Sequence, residues 1–442
     1  MKRTEFFLTV IFFFVIGICL SAQAIAEDKT TNYSGDFWSR STLTGDWGGV
    51  RNDLAKKGVT FDMNLTQVWQ GVTNGGKETE WEFGGRGNLT INVDTQKLGL
   101  WPGGFFTVEV EGNFDNDVNF NSGAIIPVNT DRLFPMPGEK ELNIPAVTFT
   151  QFLSNYFGVV LGKIDTTSAD ANEFAHGKGD RQFMNTAFNV TPAGSLIITN
   201  STLGAGVIIL PTKDPEAAVI TAMVVDSNGK ANRSGFDTAF EGNNTYAVEG
   251  RVRVNLLGLA GHQLIGAAYS NKEFASLDQS LRLIIENRGI SKEDGSWVVY
   301  YNFDQYLYQP EKGRGVGIFG RFGVTDGQAN PIHYFYSLGL GGKGIIPGRP
   351  LDQCGIGYYF IDISNPRFTG LFVTREFLRD EWGLEAYYNI ALTPWLKLTP
   401  DIQVIRPAQK EVVSIKAGLP PSISREGIKN ATVLGLRLQL IF

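Results

Sequence analysis

Cysteine and histidine are scarce in this chain, which has two cysteines and three histidines among its 442 residues. Cys19 lies in an apolar N-terminal run that we expect to be removed, so Cys354 cannot form an internal disulfide. His176, His262 and His333 lack the spacing of a metal site, and the sequence has no nucleophile elbow or phosphate-binding loop. We therefore expect no catalytic residue, no metal and no cofactor.

An excess of basic residues is also missing. The chain has 39 Lys and Arg residues against 45 Asp and Glu residues and shows no basic patch, which argues against a nucleic-acid partner. Beyond the N-terminal run, no apolar stretch reaches the roughly 20 residues that a membrane-spanning helix needs. Because 12% of the residues are aromatic and 52 are glycine, the composition favours a β-barrel over a helical bundle.

The N-terminus has the features of a secretory signal peptide. An apolar run follows Lys2 and Arg3, and it ends before the small-x-small cleavage site Ala24-Ile25-Ala26. We predict a signal peptide over residues 1–26 that is cleaved after export. Lipidation of Cys19 is the alternative, and the bulky residue that precedes this cysteine argues against it.

The remaining chain is predicted to have two parts. Residues 27–57 form an N-terminal periplasmic segment, in which residues 46–57 are predicted to be a short helix closed by Gly58. This segment could act as a periplasmic cap or plug, or it could be a plain tether. Residues 58–442 form the predicted outer-membrane β-barrel domain.

The last strand carries the clearest signal for a membrane barrel. Leu434, Leu436, Leu438 and Leu440 alternate with polar or small residues, and the strand ends on Phe442. Such a strand has one apolar face and one face suited to water, as in a barrel whose outer face contacts lipid. We expect the barrel assembly machinery to recognise this strand.

Alternating runs recur along the chain and predict about sixteen strands, an even number that suits a closed antiparallel barrel. The connections between them tend to alternate between long and short, as external loops and periplasmic turns do in outer-membrane barrels. The predicted strands cover residues 59–70, 83–95, 105–115, 146–155, 157–165, 197–210, 217–226, 245–257, 262–271, 297–308, 315–325, 332–341, 353–363, 382–392, 395–405 and 431–442.

Four segments resemble the carbohydrate-selective porins of the OprB family. They are Leu43–Val59 (LTGDWGGVRNDLAKKGV), Leu161–Asp165 (LGKID), Leu392–Val404 (LTPWLKLTPDIQV) and Leu434–Arg437 (LGLR). The resemblance implies a sixteen-stranded porin in the outer membrane of a Gram-negative bacterium, which passes sugars by facilitated diffusion. It does not fix which sugar.

Strand parity separates lipid-facing from lumen-facing residues. In the second strand Leu89 and Ile91 point outward, which places Arg86 and Asn88 inside. Arg donors and carboxylate acceptors can replace the water shell of a sugar, whereas in any wide porin such residues are merely solvated. The pore-lining candidates are Arg86, Asn88, Glu109, Glu111, Lys163, Asp165, Glu249, Arg251, Arg253, Tyr300, Asp304, Phe319, Arg321 and Glu385.

The connection over residues 166–196 is the third external loop along the chain. If it folds into the barrel, it narrows the pore, and its mixture of charged and aromatic residues suits a constriction. The constriction-loop candidates are Asp170, Glu173, Phe174, His176, Lys178, Asp180 and Arg181.

Several functions stay open from the sequence. The favoured one is an outer-membrane sugar porin whose partners are mono- or oligosaccharides, outer-membrane lipid and possible copies of itself in a homotrimer. A general or anion-preferring diffusion porin is the alternative, because the lumen candidates include several arginines. An outer-membrane enzyme and a secreted sugar-binding β-protein are disfavoured, the first by the missing catalytic constellation.

Overall fold

The computed structural model describes residues 32–133, 142–168, 171–239, 241–280, 286, 289–369, 376–416 and 422–442. In this part of the chain sixteen antiparallel strands close into one barrel, and β1 pairs with both β2 and β16. The predicted sixteen-stranded barrel is therefore confirmed. The strands are β1 Val59–Gly76, β2 Trp81–Asp94, β3 Gly104–Asp115, β4 Asn143–Ser154, β5 Phe157–Asp165, β6 Ser201–Ile209, β7 Ala218–Asp226, β8 Asn244–Leu256, β9 Leu259–Ala275, β10 Lys292–Glu311, β11 Arg314–Thr325, β12 Ile332–Lys343, β13 Gln353–Ile363, β14 Glu381–Thr393, β15 Leu396–Arg406 and β16 Lys429–Ile441.

Apolar and polar side chains alternate across the barrel wall. In β16, Leu436 is exposed on the outer face, whereas the side chain of Arg437 is completely buried inside. Aromatic rings stack along the outer face of neighbouring strands, where Phe322 lies 6.2 Å from Tyr301 and 6.4 Å from Tyr336 between ring centroids. This division is the one expected of a wall that faces lipid on its outside.

The two ends of the barrel differ in the lengths of their connections. At one end two-residue turns join β4 to β5, β8 to β9, β10 to β11 and β14 to β15. The opposite end carries long connections that include loop 2 (residues 116–142), loop 3 (residues 166–200) and loop 4 (residues 227–243). Long loops outside and short turns in the periplasm are the outer-membrane pattern.

Short ladders and single-turn helices occur in the external loops. Asp278–Ser280 pairs in parallel with Arg367–Thr369, and Glu411–Lys416 pairs antiparallel with Ser422–Gly427. Among the described residues, no helix combines the length and the apolar character that crossing a bilayer requires. The 3-10 helices are Asp131–Leu133, Thr166–Ser168 and Thr186–Phe188.

The N-terminal helix is shorter than predicted. Helix α1 covers Val50–Lys56, so it begins four residues later than the predicted start at residue 46. Trp47 and Gly49 have φ values of 53° and 96°, and left-handed backbone of this kind cannot continue into a helix. Gly58, with φ 84°, follows the helix as predicted.

Strand β6 also begins later than predicted, at Ser201 instead of residue 197. Helix α2 (Pro192–Ser195) has a proline in its first turn, and its Gly194 carbonyl accepts hydrogen bonds from the amides of Ile197 and Ile198. These residues therefore end a helical turn instead of entering the sheet.

The outer face yields a stability prediction. Leu338 is exposed near the middle of β12, so Leu338→Arg should lower the free energy of unfolding by about 2–4 kcal/mol, because a charge at mid-membrane depth is costly. Urea titration of the protein refolded into lipid vesicles measures this. Leu351→Arg, at an equally exposed site in the turn between β12 and β13, is the control and should change little. Equal effects of the two variants would contradict a lipid-facing Leu338.

Candidate functional site

Loop 3 lies inside the barrel, as the sequence analysis hypothesised. Asn172 donates to the Phe303 carbonyl on β10 (2.9 Å), and the amide of Asn185 donates to Glu385 on β14 (2.9 Å). Arg437 on β16 donates to the carbonyl of Gln182 (2.9 Å). Because these strands lie on different parts of a closed wall, a loop that reaches all three must cross the lumen.

A buried charge cluster holds loops 2 and 3 against the wall formed by β2 and β3. Arg86 on β2 lies 3.1 Å from Glu111 on β3, 3.0 Å from Asp131 in loop 2 and 3.9 Å from Asp180 in loop 3. All four side chains are buried. Removing one member of a buried ionic cluster leaves an uncompensated charge, which is strongly destabilising. Loops 2 and 3 must therefore stay where their carboxylates contact Arg86.

Lys178 of loop 3 extends this cluster towards β5. Its ammonium contacts the carboxylate of Asp165 and lies 3.2 Å from Glu109 and 3.7 Å from Glu111. Burial alone would lower the pKa of Lys178, but these carboxylates outweigh burial and raise that pKa above its ordinary value. Lys178 therefore stays charged at neutral pH and binds loop 3 to the wall.

Elsewhere around the lumen, buried side chains of β11, β14 and β16 bind the backbone of loop 3. Arg321 donates to the carbonyls of Phe188 (2.9 Å) and Ala175, and Arg437 donates to the carbonyls of Gly179 and Gln182. The Glu385 carboxylate accepts hydrogen bonds from the amides of Met184 and Asn185. Charged partners make these the stronger kind of hydrogen bond, so they fix the path of the loop.

Aromatic packing reinforces the same side of the loop. The ring of Phe183 lies 4.6 Å from Phe188 and 4.8 Å from Tyr387, and the ring of Phe319 lies 5.3 Å from Phe183. All four residues are buried inside the barrel. Loop 3 therefore has an apolar core of its own with β11 and β14, and this part of the lumen is filled.

Two wall glycines make room for this core. A Cβ on Gly357 would lie 2.5 Å from the ring of Phe188, and a Cβ on Gly341 would lie 2.5 Å from the Cβ of Phe174. Both distances are shorter than packed carbon atoms allow, so the close approach of the loop requires glycine at these positions.

The side of loop 3 that stays open to solvent carries Arg181. Its side chain is 56% exposed, and the nearest carboxylate, that of Asp180, is 3.9 Å away. Lys343 on β12, which binds Glu173 at 2.7 Å, is less exposed. Among the described residues of loop 3, Arg181 is therefore the most accessible charge that a solute meets.

A strip of neutral polar residues is partly exposed on β2 and β3, towards the short-turn end. Asn88 donates to Glu109 (2.6 Å), Thr90 donates to Asn88 (3.3 Å), and Thr107 donates to Asn92 (2.9 Å). Each amide or hydroxyl retains further hydrogen-bonding capacity. The strip therefore offers donors and acceptors without net charge.

The predicted pore-lining residues differ in what covers them. Glu249 accepts a hydrogen bond from Tyr300 (3.0 Å), and Arg251 is partly exposed. Arg253 is 43% exposed at the short-turn end, beside Asp214. Asp170 lies outside the described residues. The candidates that lie buried are Arg86, Glu111, Lys163, Asp165, Glu249, Asp304, Phe319, Arg321 and Glu385.

His176, one of the constriction-loop candidates, has its amide bound to Gln182 (2.8 Å). Enclosure of the ring, together with the nearby cations Arg181 and Lys343, lowers the pKa of His176 to about 3. The imidazole is therefore neutral at physiological pH, and it adds no charge to the pore.

Lys163 faces away from the lumen, contrary to the prediction. It pairs across the sheet with Val147, which is exposed on the outer face. Its ammonium donates to the carbonyls of Ala231 (2.7 Å) and Arg233 (2.5 Å) in loop 4, which folds over the outside of β5. A bare charge on the lipid side is costly, and these carbonyls satisfy it. The prediction placed Lys163 in the lumen because of its charge. Its position two residues after the exposed Leu161 instead places it on the outer face of the strand.

The sequence reasoning missed the contribution of loop 2. Asp131 and Arg132 enter the barrel, where Arg132 donates to the Gly85 carbonyl and, at 2.8 Å, to that of Phe114. No local pattern marks these residues. The wall glycines, in contrast, form a pattern in the sequence that could have indicated space for a loop. They recur at every second residue on lumen-facing positions, at Gly339, Gly341, Gly355 and Gly357.

The carboxylates of the cluster do not form a metal site. Among the described residues, no group of three or more His, Cys, Asp or Glu side chains is arranged to hold an ion. Lys178 occupies the position between Glu109, Glu111 and Asp165.

Comparison with known proteins decides the family. Residues 83–442 match the model of the carbohydrate-selective porin family, OprB. The chain belongs to this family. It is similar in fold to the high-pH structure of Pseudomonas putida OprB, with 20% identity, a TM-score of 0.76, and coverage of 92% of this chain and 100% of that one.

Two curated relatives of this OprB-family chain are also porins. Porin B of Pseudomonas aeruginosa is 25% identical over 168 residues, which are 34% of this chain and 32% of that protein. Porin AaxA of Chlamydia muridarum is 28% identical over 109 residues, or 23% of each chain. The matches thus span a third or less of these relatives. Family and fold are those of a channel in the outer membrane of Gram-negative bacteria.

The contacts of Arg437 predict an effect on conductance. Arg437→Ala removes the donors to two loop 3 carbonyls, so we expect about 2–3 kcal/mol lower stability and a larger single-channel conductance as the loop loosens. Planar-bilayer recording and urea unfolding measure the two effects. Arg253→Ala makes the same charge change at an exposed ion pair and should cost under about 1 kcal/mol. Unchanged conductance in Arg437→Ala would argue against a pore shaped by loop 3.

Proposed function

We propose that this protein carries carbohydrates across the outer membrane by facilitated diffusion, through the part of the lumen that loop 3 leaves open. The observation that carries this proposal is the neutral strip of Asn88, Thr90, Asn92 and Thr107 beside the loop. Membership of the carbohydrate-selective porin family supports the same solute class.

The chemistry of the strip suits an uncharged polyol. Each sugar hydroxyl is a donor and an acceptor, and Asn and Thr side chains provide both functions in a small space. A solute that enters the narrowed lumen exchanges part of its water shell for these groups. Neutral hydrogen bonds contribute only about 0.5–1.5 kcal/mol each, so the sugar passes without being held.

An anion-preferring pore is the second candidate. It is favoured by Arg181 of loop 3, whose side chain is exposed. Asp62 on β1, which is exposed and interacts with Arg181, offsets this charge. The sugar proposal therefore allows weak anion preference, and the two candidates differ in whether neutral sugars pass faster than other neutral solutes.

Three further proposals concern export and assembly. We infer that the signal peptide over residues 1–26, which lies outside the described residues, is removed after Ala26. We also infer that the assembly machinery recognises β16 together with Phe442, which follows it. The alternation of apolar residues on the outer face of β16 supports this role. A homotrimer stays a prediction.

Solute flux tests the proposed function. In proteoliposomes, we expect glucose to enter faster than a neutral amino acid of similar size. The double variant Asn92→Leu, Thr107→Val removes two hydrogen-bonding groups and should slow glucose entry by about three- to tenfold, with little effect on the amino acid. Ile91→Val, on the outer face of the same strand, is the control. Entry governed by size alone would leave a general diffusion porin.

A further inference from the structure

Within the described structure, the residues that precede β1 contribute no strand to the barrel wall. Residues 33–57, which we call the clasp segment, lie at the short-turn end and contain α1. Beside the turn that leads into β15, their contacts converge on the place where β1 meets β16. This place is the seam of the barrel, because β1 and β16 are the only neighbouring barrel strands in the described structure that lie at opposite ends of the sequence.

Arg51 is the centre of these contacts. Its guanidinium donates to the carbonyl of Phe61 on β1 and to the backbone oxygen of Phe442, which follows β16, at 2.9 Å. It therefore bridges the two strands of the seam directly. The side chain is buried, although Arg is rarely buried without a dedicated partner.

The clasp segment encloses this guanidinium. Its centre lies 3.9 Å from the ring of Tyr33 and 5.0 Å from that of Trp47, and one of its nitrogens donates to the hydroxyl of Thr42 at 3.1 Å. Cation–π contacts gain strength when water is excluded. Trp47 and Arg51 of the clasp segment thus form one unit, and Arg51 contacts the backbone at the seam.

A second set of contacts ties the same segment to β16 and to Trp395 in the turn before β15. The amide of Leu43 donates to the carbonyl of Ile441 (2.7 Å), and the indole N–H of Trp395 donates to the carbonyl of Phe37 (2.8 Å). The rings of Phe37 and Trp395 lie 5.0 Å apart. The segment is therefore held at two further points on the β16 side of the seam, while Arg51 bridges from there to β1.

We propose that the clasp segment closes and protects the seam of the barrel at its periplasmic end. Pairing β1 with β16 joins residues separated by nearly the whole domain, so the loop-closure cost falls on this pair of strands. The end of a seam is also where a sheet edge would open first. Arg51 stabilises the closed form because its two backbone acceptors come together only when both strands are in place.

Hydrogen exchange of the folded protein in detergent micelles tests this proposal. In Arg51→Ala, we expect the amides of Ile441 and Phe442 and their neighbours on β1 to exchange about tenfold faster or more, because their closing contacts are lost. The amides of β8 and β9, on the far wall, should keep their rates. Lys56→Ala removes an exposed α1 residue that forms an ion pair with Asp53 and should leave all rates unchanged.

A milder variant keeps the test decisive if Arg51→Ala does not fold. Trp395→Phe retains an aromatic ring and removes only the indole donor to Phe37, so faster exchange should again be confined to the seam. Heat-modifiable migration on gels confirms that each variant is a closed barrel. Unchanged exchange at β16 in a folded variant, or an increase spread equally over all strands, would overturn the proposal.

Discussion

The buried contacts of Arg86 and Lys178 with five carboxylates fix the position of loop 3, and the rest of the channel depends on that position. The carboxylates come from β3, loop 2, β5 and loop 3. Charges removed from water must be paired closely, so this cluster tolerates few arrangements of the loops. A barrel of sixteen strands is otherwise wide, and the loop determines how much of its lumen remains for a solute.

Different kinds of interaction hold the two sides of loop 3 in place. On the side of β2 and β3, ionic contacts dominate. Towards β11 to β16, aromatic rings around Phe183 pack against wall positions where glycine leaves room, and Arg321 and Arg437 bind loop carbonyls. Packing excludes water there, which strengthens those hydrogen bonds. The part of the lumen that remains exposed to solvent is lined by Arg181 and by the neutral strip on β2 and β3. We therefore expect selectivity to arise there.

The fold was readable from the sequence because a lipid-facing wall imposes period-two alternation on every strand, as in Leu434 to Leu440. The site was less readable. Parity tells which face a residue such as Arg321 or Glu385 occupies, but it does not tell that a loop far away in sequence will cover it. Lys163 was misplaced because loop 4 satisfies a charge on the outer face. The contribution of Asp131 depends wholly on tertiary contacts and has no local signature.

Thiol modification of a single cysteine at Arg181 tests the central claim most directly. Arg181→Cys is made in a Cys354→Ser background, and a small anionic thiol reagent is added during planar-bilayer recording. If loop 3 lines the open lumen, the current through each channel falls stepwise as the reagent reacts. Arg233→Cys, equally exposed on loop 4 outside the barrel, should react without changing the current. An unchanged current after complete modification at residue 181 would contradict a pore shaped by loop 3.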